Sequence, residues 1–299
     1  MKSLFFTFLL FPLFCFSQKI GDGVMNMYNS VGIITYTHPH GEIESGTGTL
    51  IYKDFGGGGM KIFLITCKHV LPHPDTAKQV QFIIRNDSSK TNITTLTLAI
   101  FDSIKRYSPY VRLDPLGNDL AVIDITELFI NFPLSNLQRK PIPYTLLATR
   151  DSLSEYNVQV GDYVLFAGYP SFFFDKRNIN PVMRQAVIST PPQDSYFFND
   201  IVRMNYFTRF GFIPPEKLDG FLIDGNAIGG SSGSLVFLRP QFLRNKDGDI
   251  ERNVTSSDPM ILGILSDSYI GITSKDSGRI NLGGVISADA IKRTIDSFR

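Results

Sequence analysis

Apolar residues in this chain fall in short runs of strand length and almost nowhere at the three- and four-residue spacing of a helix. The runs Val31–His38, Gly46–Tyr52, Lys61–Thr66, Val80–Arg85, Thr94–Phe101, Leu120–Ile125, Tyr163–Gly168, Arg184–Ser189, Gly233–Leu238 and Met260–Leu265 are separated by clusters of Gly, Pro, Asn and Asp. Many short strands set apart by turn residues predict an all-β barrel or sandwich. Only the end departs from this pattern. Ser287 is placed to cap a segment in which Ala290, Ile291, Ile295 and Phe298 recur at helical spacing. No internal repeat or low-complexity linker marks a boundary. The stretch 131–154, rich in Pro, Ser, Asn and charge, is the expected connection between two halves.

With 29 Lys+Arg against 28 Asp+Glu and no dense basic run, the chain lacks the electrostatic footprint of a nucleic-acid binder. Lys2, the apolar stretch Leu4–Phe16 and the small Ser17 have the build of a cleaved secretory leader over residues 1–17. That run is shorter than the roughly 20 residues needed to span a bilayer, so the mature chain is expected to be exported, periplasmic or secreted, without a membrane span. Lipid attachment at Cys15 is disfavoured by the bulky Phe14 before it. Loss of Cys15 with the leader leaves Cys67 alone, so the mature chain forms no internal disulfide and relies on its core. One cysteine also excludes a cysteine-based zinc site, and Cys67 reads as a small buried hydrophobe. The glycines Gly56–Gly59 have no following Lys, Ser/Thr or helix to make a phosphate loop, and read as a hairpin connection. Asn245, Asp247 and Asp249 have a faint calcium-loop spacing, but Gly248 is misplaced and no glutamate closes it; Lys246–Asp249 reads as a turn.

Three segments carry the chemistry. His69 follows the apolar run Phe63–Thr66, which would deliver an imidazole to a strand's end. Asp119 stands immediately before the apolar strand Leu120–Ile125, where a carboxylate can accept the imidazole N–H, fix its tautomer and stabilise the imidazolium. The run Gly229-Gly230-Ser231-Ser232-Gly233 lets the backbone turn sharply enough to aim successive N–H groups, those of Gly230 and Ser232, at one point, as an oxyanion hole requires.

Together these segments resemble the trypsin-like (chymotrypsin-fold) serine peptidases, in their disulfide-poor exported bacterial branch. The resemblance rests on Ser45-Gly46-Thr47-Gly48-Thr49-Leu50-Ile51, Ile65-Thr66-Cys67-Lys68-His69-Val70, Asn118-Asp119-Leu120-Ala121-Val122, Gly230-Ser231-Ser232-Gly233-Ser234 and Ile261-Leu262-Gly263-Ile264-Leu265-Ser266. It departs from the family pattern at Cys67-Lys68, where alanines usually precede the histidine, and at Ser234-Leu235 after the nucleophile's glycine. The resemblance implies two antiparallel six-stranded-type β-barrels, about 21–131 and 154–286, with a C-terminal helix at about 287–298. It implies a serine endopeptidase acting on a polypeptide, with His69 as base, Asp119 as its orienter and Ser232 as nucleophile, and needing no cofactor or metal. It also places substrate contacts at Asn226, Ser266, Asp267 and Ser268, with Asn226 at the base of a primary pocket suited to a neutral side chain. Residues 199–220 would form either a lid or a hairpin.

Two readings compete. The serine run also satisfies the nucleophile-elbow pattern, which would make Ser231 the nucleophile, but that fold needs a histidine after the serine and none lies beyond His73. A catalytically silent member of the fold that binds a peptide or protein is the other, since fold does not dictate function.

Overall fold

The computed structural model describes residues 22–57, 59–85, 93–130, 141–170, 173–175, 177–200, 203–204, 215–225, 227–244, 250–254, 259–272 and 277–298. The leader with Cys15, Asn226, the turn Lys246–Asp249 and most of 199–220 lie outside them. The chain enters through helix α1 (Asp22–Asn29), which buries Val24 and Met27. Strands β1 (Val31–Thr37), β2 (Ile43–Asp54), β3 (Met60–Thr66), β4 (Gln79–Arg85), β5 (Ile93–Ala99), β6 (Val111–Leu113) and β7 (Ala121–Asp124) follow. They form one antiparallel sheet in the order β5-β4-β1-β2-β3-β7-β6. After helix α2 (Thr126–Ile130), β8 (Ile142–Pro143) adds to β2 in parallel, with Ile51 opposite Ile142.

Alternation explains the outer strands: in β5, Thr94, Leu96 and Leu98 face inward while Thr95 and Thr97 face water. In β3 and β7 both faces are largely covered: α2 packs against β3 and the C-terminal helix against β7. The sheet curls, but its outer strands β5 and β6 are not laddered to each other. A groove lined by Leu98, Tyr110, Ile123 and Leu128 runs along that seam.

Helix α3 (Arg150–Glu155), capped by the Thr149 hydroxyl, leads into the second unit. This comprises β9 (Tyr163–Gly168), β10 (Val182–Ile188), the short pair β11 (Tyr196–Phe197) and β12 (Lys217–Leu218), β13 (Gly220–Asp224), β14 (Leu235–Leu238), the antiparallel pair β15 (Gln241–Arg244) and β16 (Ile250–Val254), β17 (Ile261–Ile272) and β18 (Ser277–Ser287). Six of them close a barrel in the order β10-β13-β18-β17-β14-β9. Helix α4 (Ala288–Asp296) ends the chain. Ser287 Oγ accepts from the Ala290 N–H, and Ala290, Ile291, Ile295 and Phe298 are all buried, with the Phe298 ring 5.1 Å from that of Phe63.

The fold is therefore all-β with a C-terminal helix, one barrel closed and the other sheet curled toward closure. The sequence pattern did not signal the short helices α1, α2 and α3. It also truncated β17, which continues past Leu265 because the polar run Ser266-Asp267-Ser268 breaks the apolar pattern without breaking the strand.

Candidate active site

His69 sits in a single 3₁₀ turn, Lys68–Val70, directly after β3. The Lys68 N–H donates to the Asp119 carbonyl at 3.2 Å and the His69 N–H to Asp119 Oδ1 at 2.9 Å, so the backbones of the two segments are fastened together before the side chains meet. His69 Nδ1 then lies 2.5 Å from Asp119 Oδ2. A carboxylate can only accept, so Nδ1 carries the proton and Nε2 is left as the basic nitrogen.

A second donor reaches the same oxygen, the third on the carboxylate: Ser266 Oγ–H bonds to Asp119 Oδ2 at 2.8 Å. Ser266 can do this because it is the extra residue of a bulge. Leu265 pairs with Val285 and Asp267 with the next residue back, Gly284, so the register shifts at Ser266 and its side chain is re-aimed at the first sheet. Its carbonyl accepts the Ser232 hydroxyl at 2.8 Å. The structure thus joins His69, Asp119, Ser266 and Ser232 in one hydrogen-bonded group. A hydroxyl has one proton, so donation from Ser232 to Ser266 and to an imidazole are alternative states of the same side chain.

The turn bearing Ser232 is shaped by two glycines at positive φ, Gly230 at 82° and Gly233 at 88°. A Cβ on Gly233 would stand 1.9 Å from the Thr47 carbonyl oxygen. That proximity comes from β2, which straps the turn across the interface: the Thr47 N–H donates to Ser232 O (2.9 Å), Thr47 Oγ1 to Gly230 O (3.0 Å) and Thr49 Oγ1 to Gly233 O (3.2 Å). The N–H groups of Ser231, Gly233 and Ser234 are spent on Ile228, Leu265 and Ser231 carbonyls. Those of Gly230 and Ser232 have no acceptor among the described residues. Ser231, by contrast, is 2% exposed and its hydroxyl has no hydrogen-bond partner there, so it faces the interior.

Glu44, at the start of β2, adds negative charge to the site. It accepts from Tyr36 Oη at 2.5 Å and lies 2.7 Å from His38 Nε2. The Tyr36 hydrogen bond holds its carboxyl below the usual range, against burial and with help from His38 and the charge of His69. Burial first, and then Glu44, pushes the Tyr36 phenol up.

Cys67 is buried, as expected, but its thiol donates to the Leu265 carbonyl (3.2 Å) and lies with the ligand atoms of His69 and Asp119 inside 4.8 Å. This is the one group among the described residues whose donor atoms converge as a metal site's would. Asp119 Oδ2 already accepts two donors there, which suits a hydrogen-bonded relay better than a cation. Asn226 lies outside the described residues, between Gly225 and Ala227 at the end of β13. Asp267 and Ser268 belong to β17 opposite Gly284 and Gly283. Beyond Ile264, β17 has no ladder to β14, and from Asp267 onward its ladder among the described residues is with β18.

The role of Ser266 toward Asp119 was missed from sequence. Its signal is a one-residue slip between two ladders, which no residue pattern announces.

No protein-family model matches the chain, and no curated protein matches it. Among solved structures, Rv3671c from M. tuberculosis, in an inactive serine-to-alanine mutant form, is 16% identical over 93% of this chain and 90% of that one, with a TM-score of 0.45. A thermostable serine protease, AL20, from an extremophilic microorganism is 14% identical over 91% of this chain and 98% of that one, with a TM-score of 0.44.

Proposed function

We propose that this chain is a serine endopeptidase that hydrolyses a polypeptide through an acyl-enzyme. One observation carries the reading: the His69–Asp119–Ser266–Ser232 hydrogen-bonded group lies beside two backbone N–H groups, of Gly230 and Ser232, that have no acceptor among the described residues. Buried or half-buried donors are rarely left unspent unless something else is to occupy them.

In this mechanism Ser232 Oγ attacks the scissile carbonyl and His69 Nε2 takes its proton. The oxygen of the tetrahedral intermediate then accepts from Gly230 N–H and Ser232 N–H. Asp119, held by Ser266, the His69 N–H and the histidine ring, stabilises the imidazolium while it exists. His69 returns the proton to the leaving amine, and water repeats the sequence on the acyl-enzyme. The edge of β17 past the end of its β14 ladder is where an extended peptide would add as a strand. Asn226, Asp267 and Ser268 remain the proposed substrate contacts, and no metal or organic cofactor takes part.

Labelling with a fluorophosphonate tests this. The expected result is a covalent adduct on Ser232 that is lost in Ser232→Ala, with kcat down about 10⁶-fold as for other triad nucleophiles. Ser231→Ala should keep both labelling and turnover. An unlabelled, folded wild-type chain would instead favour the peptide-binding reading. We also propose export with removal of residues 1–17; N-terminal sequencing of the chain made in a secreting host should begin near Gln18, and retention of Met1 would refute it.

A further inference from the structure

We infer that Arg293, on the C-terminal helix, is a positioning residue for Asp119, acting through Asp114 and Asn118; the inference deepens the peptidase reading and rests on it. The Arg293 guanidinium lies between two carboxylates from different parts of the fold. Its Nε donates to Asp114 Oδ1 at 3.0 Å, in the loop after β6, and its Nη2 to Asp219 Oδ2 at 2.8 Å, just before β13. Asp114, whose side chain has no exposed surface, turns its other oxygen to Asn118 and accepts both the side-chain Nδ2–H at 2.5 Å and the backbone N–H at 3.3 Å. Asn118 Oδ1 in turn accepts the Asp219 N–H at 3.2 Å. The ring Arg293–Asp114–Asn118–Asp219 is closed, and it closes one residue before Asp119.

Charge balance makes this ring stiff. Arg150 is a second cation on Asp219 and ties its own N–H to Asp289 on α4 at 3.0 Å, so two guanidiniums answer the two carboxylates. Removing one cation would leave the enclosed Asp114 charge uncompensated, which a protein relieves by moving or protonating the group. Either response releases Asn118. The Asp119 carboxylate has to meet the His69 N–H and the ring Nδ1 at once, a two-point demand that tolerates little rotation of the preceding peptide. A misplacement of about 1 Å can cost a hundredfold in rate even when it arises away from the chemistry. The helix, which touches no reacting atom, would thereby set the geometry of the triad.

The test is the titration of His69, followed by NMR in the full chain, beside steady-state kinetics on a small ester. Among the described residues, the charged and titratable groups facing His69 include Asp119, Glu44 on β2 and the adjoining Lys68 and Cys67, and Arg293→Met leaves all of these in place. Expected for Arg293→Met is a lower His69 midpoint, because the imidazolium loses its aligned carboxylate, with kcat reduced about 10- to 100-fold and KM little changed. Arg293→Lys, which can reach one carboxylate at a time, should recover part of both. A folded Arg293→Met chain with wild-type midpoint and kcat would overturn the inference. Should that variant not fold, Asn118→Ala breaks the ring without stranding a charge, and an unchanged His69 midpoint there overturns it equally. If the wild type hydrolyses nothing, the peptidase reading fails while the titration still decides whether the ring positions Asp119.

Discussion

Three donors converge on the Asp119 carboxylate, and they come from different places: the backbone and ring of His69, and the hydroxyl of Ser266 from the second barrel. A hydrogen bond to a charged group is worth about 1.5–3 kcal/mol, less where water has access, as it does here. Ser266→Ala should therefore lower kcat by roughly tenfold, a barrier change of about 1.4 kcal/mol, while KM stays near wild type because the backbone of β17 is unaltered. An unchanged kcat would show that the two His69 contacts orient Asp119 unaided. Glu44 gives a separate test through pH. Its carboxyl is held below its ordinary value in the folded chain, so it adds stability above the unfolded value, about 4.3, and that contribution is lost as pH falls through the lower folded value. Tyr36→Phe removes the leading cause and should move the Glu44 titration up, so that acid unfolding begins at higher pH; carboxyl NMR and urea titrations between about pH 3 and 6 would read both. Residue chemistry was legible where a side chain sits next to an apolar strand, as His69 and Asp119 do. Ser266 was legible only as a substrate contact, because its contact with Asp119 depends on a bulge.

At the level of elements, the first sheet contributes more than the histidine and the aspartate. Strand β2 supplies the donors that hold the Ser232 turn, and the approach is so close that Gly233 has no room for a side chain. The pattern Ser45-Gly46-Thr47-Gly48-Thr49 shows the consequence. Gly46 makes room for Val70 and Gly48 for Leu64 and Ile34, while Thr47 and Thr49 turn their hydroxyls to the neighbouring turn. Alternation of small and β-branched residues was visible in sequence as a strand. That its polar face would serve the nucleophile turn was not, since the partner lies 183 residues away for the Thr47–Gly230 bond. The same limit explains α1 and α3, which are held by packing and a Thr149 cap rather than by any long period. The C-terminal helix was legible because its cap and four apolar positions agree with one another.

The molecule has two β units but not two separate cores. One cluster of buried side chains contains Ile33, Leu50, Phe63 and Val122 of the first sheet, Leu235, Phe237, Ile264 and Ile286 of the closed barrel, and Ile291, Ile295 and Phe298 at the end of the chain. The second cluster, with Phe166, Phe221, Val236 and Val285, fills the closed barrel and takes in Ala148, Leu153 and Val158 at and around α3. A chain organised this way cannot lose the first sheet without exposing apolar surface of the second, so unfolding should be a single transition despite the length. Phe298 probes the shared core from its edge: its ring lies tilted against Phe63 at 5.1 Å and under the Arg112 guanidinium at 5.2 Å, just past the end of the helix that continues directly from β18. Phe298→Ala should cost about 3–5 kcal/mol, less any relief from its position at the rim, and lower the midpoint of one undivided transition. Hydrogen exchange would then show protection falling together in β3 and in β17. A variant that melts in two steps, with β3 exchanging well before β17, would mean that the barrels are stabilised independently and that the clusters touch without sharing their stability.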